Sequence, residues 1–147
     1  MNREEIMKLI PHRPPILLLD RIEELEPGRR GVGCRVFQPD DPCFAGHFPE
    51  RPILPGVLII EAVAQTALAV LLSGVKATDD GSSAIGLLAK IEKARFLRPI
   101  VAGDSVGFEA VVKKKVGAFF MVSGRVTRLP DQAVCATCDV TLTMAAQ

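Results

Sequence analysis

The spacing of apolar positions changes character several times along the chain, and each change marks an element. Asn2 with Glu5 three residues later matches a capping box, which predicts a short opening helix. Pro11 stops it. Strands are predicted at 16–25 and 31–37, parted by the turn signal Glu26-Pro27-Gly28. Residues 39–56 break the pattern. Pro39 and Pro42, then Pro49, Pro52 and Pro55, recur every three residues and predict an extended, polyproline-like loop. Long ordered loops in small domains are often functional. Residues 57–75 then run apolar almost all round, broken by Glu61 and Gln65. At about 1.5 Å per residue this stretch nearly matches a bilayer. A lone charge is costly in lipid, however, and no second span exists. A buried central helix wrapped by a sheet explains the same pattern. After the turn signal Asp79-Asp80-Gly81, strands are predicted at 84–97, 104–116, 118–129 and 132–144. In the last of these Val134, Ala136, Cys138, Val140, Leu142 and Met144 share a face, with Thr137, Asp139, Thr141 and Thr143 opposite. Turns at Val116-Gly117 and Leu129-Pro130-Asp131 predict an antiparallel meander. Strands, one long helix and more strands make an α+β domain with a curved antiparallel sheet.

Composition narrows the function classes. The 147 residues suit a single domain, 1–147. Apolar residues are 48% and charged residues 24%, enough for a soluble core. Eighteen Lys and Arg against seventeen Asp and Glu leave a net charge of +1, which argues against a nucleic-acid binder. Only two histidines are present, His12 and His47, so a three-histidine zinc site is excluded. There is no tyrosine to act as acid or base. Cys135 and Cys138 form C-x-x-C without a second such pair or a nearby histidine. On a strand, positions three apart face opposite sides, so buried thiols are expected rather than a metal or redox pair. The acidic opening MNREEIMKLI is a poor signal peptide, and a reducing cytoplasm with no membrane association is expected.

The chemistry concentrates around the start of the apolar helix. His47 lies in Gly46-His47-Phe48-Pro49, inside the proline-rich loop, and Glu61 follows 14 residues later in the helix's second turn. Apolar surroundings push a carboxyl pKa up and the positive helix end pulls it down. Desolvation sufficient to keep Glu61 protonated would make it an acid. Gln65, four residues on, shares its face and can orient the carboxyl. Pro55-Gly56 opens the helix and leaves the amides of Gly56 and Val57 free to polarise an acyl carbonyl, which the missing Cβ of Gly56 allows to approach.

The run from Gly46 to Gln65, GHFPERPILPGVLIIEAVAQ, closely resembles the signature of the (3R)-hydroxyacyl-[acyl-carrier-protein] dehydratases of type II fatty acid synthesis, the FabZ type. The resemblance continues in Pro11-His12-Arg13, in Leu18-Leu19-Asp20-Arg21, and from Lys93 to Pro99 with Gly103-Asp104. It implies the hot-dog fold, a curved antiparallel sheet around a long central helix. It implies His47 and Glu61 as catalytic residues, contributed by opposite subunits of a homodimer that often assembles into a trimer of dimers. Phe48, Gly56, Val57 and Gln65 are then expected at the substrate. His47 is the expected base at C2 of an acyl thioester, and Glu61 the acid that releases the C3 hydroxyl. No metal or organic cofactor is implied. His12 is expected in a structural or interface role.

An acidic acyl carrier protein calls for a basic docking patch, for which Lys93, Arg95 and Arg98 are candidates, as is Lys113-Lys114-Lys115. Departures from the family pattern at Pro14-Pro15-Ile16, Cys43, Lys90 and Glu92 bear on acyl-chain length and spare the catalytic pair. Two other readings stay open on these residues. One is a hot-dog thioesterase, with the carboxylate aiding water attack. The other is a non-catalytic acyl-carrier-binding subunit.

Overall fold

A computed structural model describes residues 1–75 and 84–145; the turn signal at residues 79–81 lies outside them. Helix α1 (Arg3–Leu9) opens on the expected capping box: Glu5 N–H donates to Asn2 Oδ1 at 3.0 Å, and Asn2 N–H to Glu5 Oε2 at 2.7 Å. Strands β1 (Arg21–Glu26) and β2 (Arg30–Val36) form a hairpin. The long helix α2 (Gly56–Ser73) follows, then β3 (Ile85–Phe96), β4 (Ser105–Val116), β5 (Phe119–Arg128) and β6 (Ala133–Ala145). The six strands form one antiparallel sheet in the order β1-β2-β4-β5-β6-β3. α2 packs against every strand, and 67% of it is buried. The stretch apolar enough to cross a membrane is therefore the core of the domain.

Backbones approach closely around this helix. A Cβ on Gly124 of β5 would lie 2.6 Å from Val63 Cγ1, so only glycine lets strand and helix meet there. Phe37, Phe44 and Phe108 fill one end of the core with edge-on ring contacts.

The structure differs from the sequence pattern in four places. Only β4, β5 and β6 form the meander. β3 lies at the far edge beside β6, because Leu97 and Arg98 hand their N–H groups to Cys135 and the following segment crosses to β4. The strand predicted from residue 16 begins at Arg21. The intervening backbone is held instead by a side chain: Leu18 N–H donates to Gln65 Oε1 at 2.9 Å, and Gln65 Nε2 donates to Ile16 O at 2.7 Å. In β6 the register shifts opposite Val126 and Thr127, and Cys135 sits at this bulge. The alternation resets there, so Cys135 and Cys138 are both buried and Val134 is displaced outward. Both thiols are free, and burial pushes Cys138 up to about 11. Finally, the proline-rich loop is not extended. It turns through a short 3-10 helix (Pro42–Phe44) and is closed by local bonds such as His47 N–H to Phe44 O at 3.1 Å, which a polyproline path lacks.

Gln65 thus carries a structural duty that can be measured. Gln65→Leu removes the partner of the Ile16 carbonyl and leaves the buried Leu18 N–H unsatisfied, the latter at roughly 1–3 kcal/mol. The urea midpoint should fall accordingly; an unchanged midpoint would show that these bonds do not hold the segment.

Candidate active site

His47 is presented by the loop with its orientation fixed. Its Nδ1 lies 2.9 Å from the Ile53 carbonyl oxygen, and the Ile53 N–H returns a bond to His47 O at 2.8 Å. A carbonyl only accepts, so Nδ1 carries the hydrogen and Nε2 keeps its lone pair. Phe48 stacks on the ring, with centroids 4.2 Å apart. The loop is tied to the β3–β4 connection by Leu54 N–H to Ile100 O at 2.8 Å and by the bridge between Ile53 and Val101. His47 therefore opens onto a cavity of about 350 Å³, walled by Leu54, Gly56, Ile59, Phe96 and Arg98 among others.

The start of α2 borders the same cavity. Its N-cap, Pro55, makes no side-chain bond, and the Leu58 and Ile59 amides both turn to the Pro55 carbonyl. The Gly56 and Val57 amides have no backbone acceptor among the described residues, as the sequence leads one to expect. The glycine has a further reason within the chain. A Cβ on Gly56 would lie 3.0 Å from the Phe96 ring, so in this chain the glycine makes room for an aromatic side chain.

Glu61 faces a different space. Each helical residue turns about 100°, so Glu61 lies about 140° around α2 from Gly56. It lines a second, smaller cavity of about 50 Å³ with His12, Ala64, Leu68, Gly86, Leu88 and Leu142. Gln65 Nε2 donates to Glu61 Oε1 at 2.8 Å. His12 Nε2 lies 3.4 Å from the same oxygen. The His12 imidazole holds the Glu61 carboxyl below its usual range, burial opposes it by pushing up, and the Gln65 amide adds to the lowering. Desolvation alone does not dominate here, because the sequence hides the histidine that offsets it. His12 stands 49 residues away along the chain, and its spacing carries no signal of the contact.

Within one chain, His47 and Glu61 therefore line separate cavities. Phe48 and Val57 are exposed beside the first, at 52% and 77%. Gln65 is completely buried, and both of its N–H groups and its oxygen are engaged by protein. Expected at the substrate, it spends these bonds on the backbone of Ile16 and Leu18 and on the Glu61 carboxyl. The expected docking residues divide. Arg98 rims the His47 cavity, whereas Lys93 and Arg95 line a groove of about 440 Å³ across the sheet with Lys113 and Arg125. β3 carries a bulge between Glu92 and Arg95, with Lys93 at φ 51°, whereas Arg98 lies beyond the end of the strand.

Comparison with known proteins agrees with this architecture. A FabA-like domain matches residues 10–138. The 3-hydroxyacyl-[acyl-carrier-protein] dehydratase FabZ of Anaeromyxobacter sp. (strain K) is 43% identical over 129 residues, covering 88% of this chain and 81% of that protein. The protein of the same name from Roseiflexus castenholzii is 42% identical over 135 residues, covering 92% and 91%. Among solved structures, the dehydratase heterocomplex ApeI:P from Xenorhabdus doucetiae superimposes with a TM-score of 0.78 at 16% identity, over 95% of this chain and 90% of that one. The E. coli PaaI protein does so with a TM-score of 0.64 at 15% identity, over 83% and 80%. These two likenesses are of fold, the hot-dog fold. The chain belongs to the FabA-like family, among its 3-hydroxyacyl-[acyl-carrier-protein] dehydratases of the FabZ type.

Proposed function

We propose that this protein dehydrates (3R)-3-hydroxyacyl chains on acyl carrier protein to trans-2-enoyl chains in fatty acid synthesis, at sites shared between two copies of the chain. The observation that carries this reading is the placement of the two cavities. The His47 cavity adjoins Phe96 and Leu97, at one end of β3, and the Glu61 cavity adjoins Gly86 and Leu88, at the other. β3 is a twelve-residue edge strand that exposes Leu87, Leu88, Ile91 and Phe96. Long apolar edges invite pairing with another strand. Antiparallel pairing of two β3 strands about a two-fold axis near Ile91 sets the start of one beside the end of the other. His47 of the partner subunit then approaches Glu61 across an apolar slot. Further assembly into a trimer of dimers fits the same reading.

The chemistry follows from the atoms presented. The C2–H of a 3-hydroxyacyl thioester is acidified by the carbonyl. His47 Nε2 takes that proton, and the C2–H electron pair becomes the C2–C3 double bond. The C3–O bond breaks, and the hydroxyl leaves as water with a proton from Glu61. Charge on the thioester oxygen is met by the free amides of Gly56 and Val57. Covering Glu61 with a second copy's apolar strand removes water and raises its carboxyl pKa toward the protonated form an acid needs. The chain works as one domain, 1–147, and no residue in this scheme calls for a metal or an organic cofactor. We place the enzyme in the cytoplasm, where its free cysteines stay reduced. Arg98, at the rim of the His47 cavity, is the docking residue best placed for an acidic carrier; Lys93 and Arg95 belong to a separate basic groove.

Purified protein incubated with a 3-hydroxyacyl carrier substrate should develop enoyl absorbance without free thiol. His47→Ala and Glu61→Gln should each lower kcat by about 10²- to 10⁴-fold. Thiol release in place of enoyl product would indicate a thioesterase, and binding without turnover a carrier-binding subunit. Arg98→Glu should raise KM for the carrier-bound substrate and leave a short free thioester unaffected. Equal effects on both would remove Arg98 from docking.

A further inference from the structure

The two oxygens of the Glu61 carboxyl are not equivalent. Oε1 receives the Gln65 N–H at 2.8 Å and faces His12 Nε2 at 3.4 Å. Oε2 has no hydrogen-bond partner among the described residues. The remaining walls of the cavity are Ala64 and Leu68 of α2, Gly86 and Leu88 of β3, and Leu142 of β6, none of which titrates or donates from a side chain. The nearest other charge in sequence, Arg13, turns its guanidinium to the carbonyls of Ile10 and His12 at 3.0 and 2.8 Å. His12 Nδ1 is buried without a partner among the described residues, so the carboxyl is the polar group that the ring addresses. A half-buried imidazole with one polar contact, aimed at the one acidic group on an apolar helix, does more than fill space.

We propose that His12 is a positioning residue for the dehydration: together with Gln65 it fixes one oxygen of the Glu61 carboxyl, so that the other faces the cavity as the oxygen that meets the substrate's hydroxyl. This rests on Glu61 acting as the acid in the reading above. The bonds broken and formed are unchanged by it. The proton passes from Oε2 to the departing C3 hydroxyl while His12 and Gln65 stay on Oε1. His12 does not touch substrate. Its contribution is to stop the carboxyl from rotating between two equivalent orientations, and a misplacement of about 1 Å in such a group can cost on the order of 100-fold in rate. The contact also holds the carboxyl pKa down, so its loss moves the titration of Glu61 upward.

The test compares wild type, His12→Phe and His12→Gln as full-length protein on a 3-hydroxyacyl thioester, with kcat and KM measured across pH. His12→Phe should lower kcat by about 10- to 100-fold with KM little changed. The alkaline limb of its kcat profile, where Glu61 loses its proton, should move to higher pH. His12→Gln restores an N–H donor of similar reach and should recover part of kcat. The carboxyl carbon of Glu61, followed by NMR in both variants, gives a reading that does not depend on turnover; its midpoint should rise in His12→Phe and by less in His12→Gln, which keeps the donor but loses the ring's charge. Profiles and midpoints that superimpose on wild type would overturn the role of His12 alone. A wild type that forms no enoyl product would overturn the reaction reading instead.

Discussion

A half-buried carboxyl group on an apolar helix loses water and takes hydrogen bonds from protein instead, and the local structure is arranged around that requirement. Glu61 is the only charged residue in α2. Gln65, one turn on, is buried to bind it, and the rest of the Gln65 amide is spent on the backbone of Ile16 and Leu18. That in turn fixes the segment between α1 and β1, which carries His12 against the same carboxyl. Breaking the Gln65 link leaves the buried Leu18 N–H unsatisfied, so the site and the local fold are coupled through Gln65.

The same helix separates the two halves of the chemistry. Turning about 100° per residue, it puts the free amides of Gly56 and Val57 on one side and Glu61 on another. His47 is gripped by Ile53 on the amide side. The edge strand β3 connects the two cavities end to end, and its exposed apolar face makes a second copy the natural complement. On the proposed pairing, separation within a chain and convergence between chains both follow from one geometry. On the proposed reading assembly is part of catalysis, since His47 and Glu61 line different cavities of one chain.

Much of this was legible in the residues. The central helix follows from a run too apolar for a surface, the opening helix from Asn2 and Glu5, and the last hairpins from Gly117 and Pro130-Asp131. The loop and helix motif marks His47, Gly56 and Glu61 together. What escaped depends on distant partners. No local pattern says that β3 pairs with β6, that a bulge at Cys135 brings both C-x-x-C thiols inside, or that Gly56 is needed by Phe96. Prolines spaced by three resemble an extended path until backbone hydrogen bonds fold the loop into turns. The His12–Glu61 contact is the most consequential omission, because it reverses the direction in which burial alone would shift the acid.

The shared site is tested most directly by mixing two inactive variants. His47→Ala and Glu61→Gln chains, unfolded together and refolded in equal amounts, form hybrid pairs in which one of the two sites keeps both an intact imidazole and an intact carboxyl. A site built across two copies predicts recovery of about a quarter of wild-type turnover, half the pairs being hybrids with one working site each. No recovery above the separate variants, with hybrid pairs shown to form, would contradict a site divided between subunits.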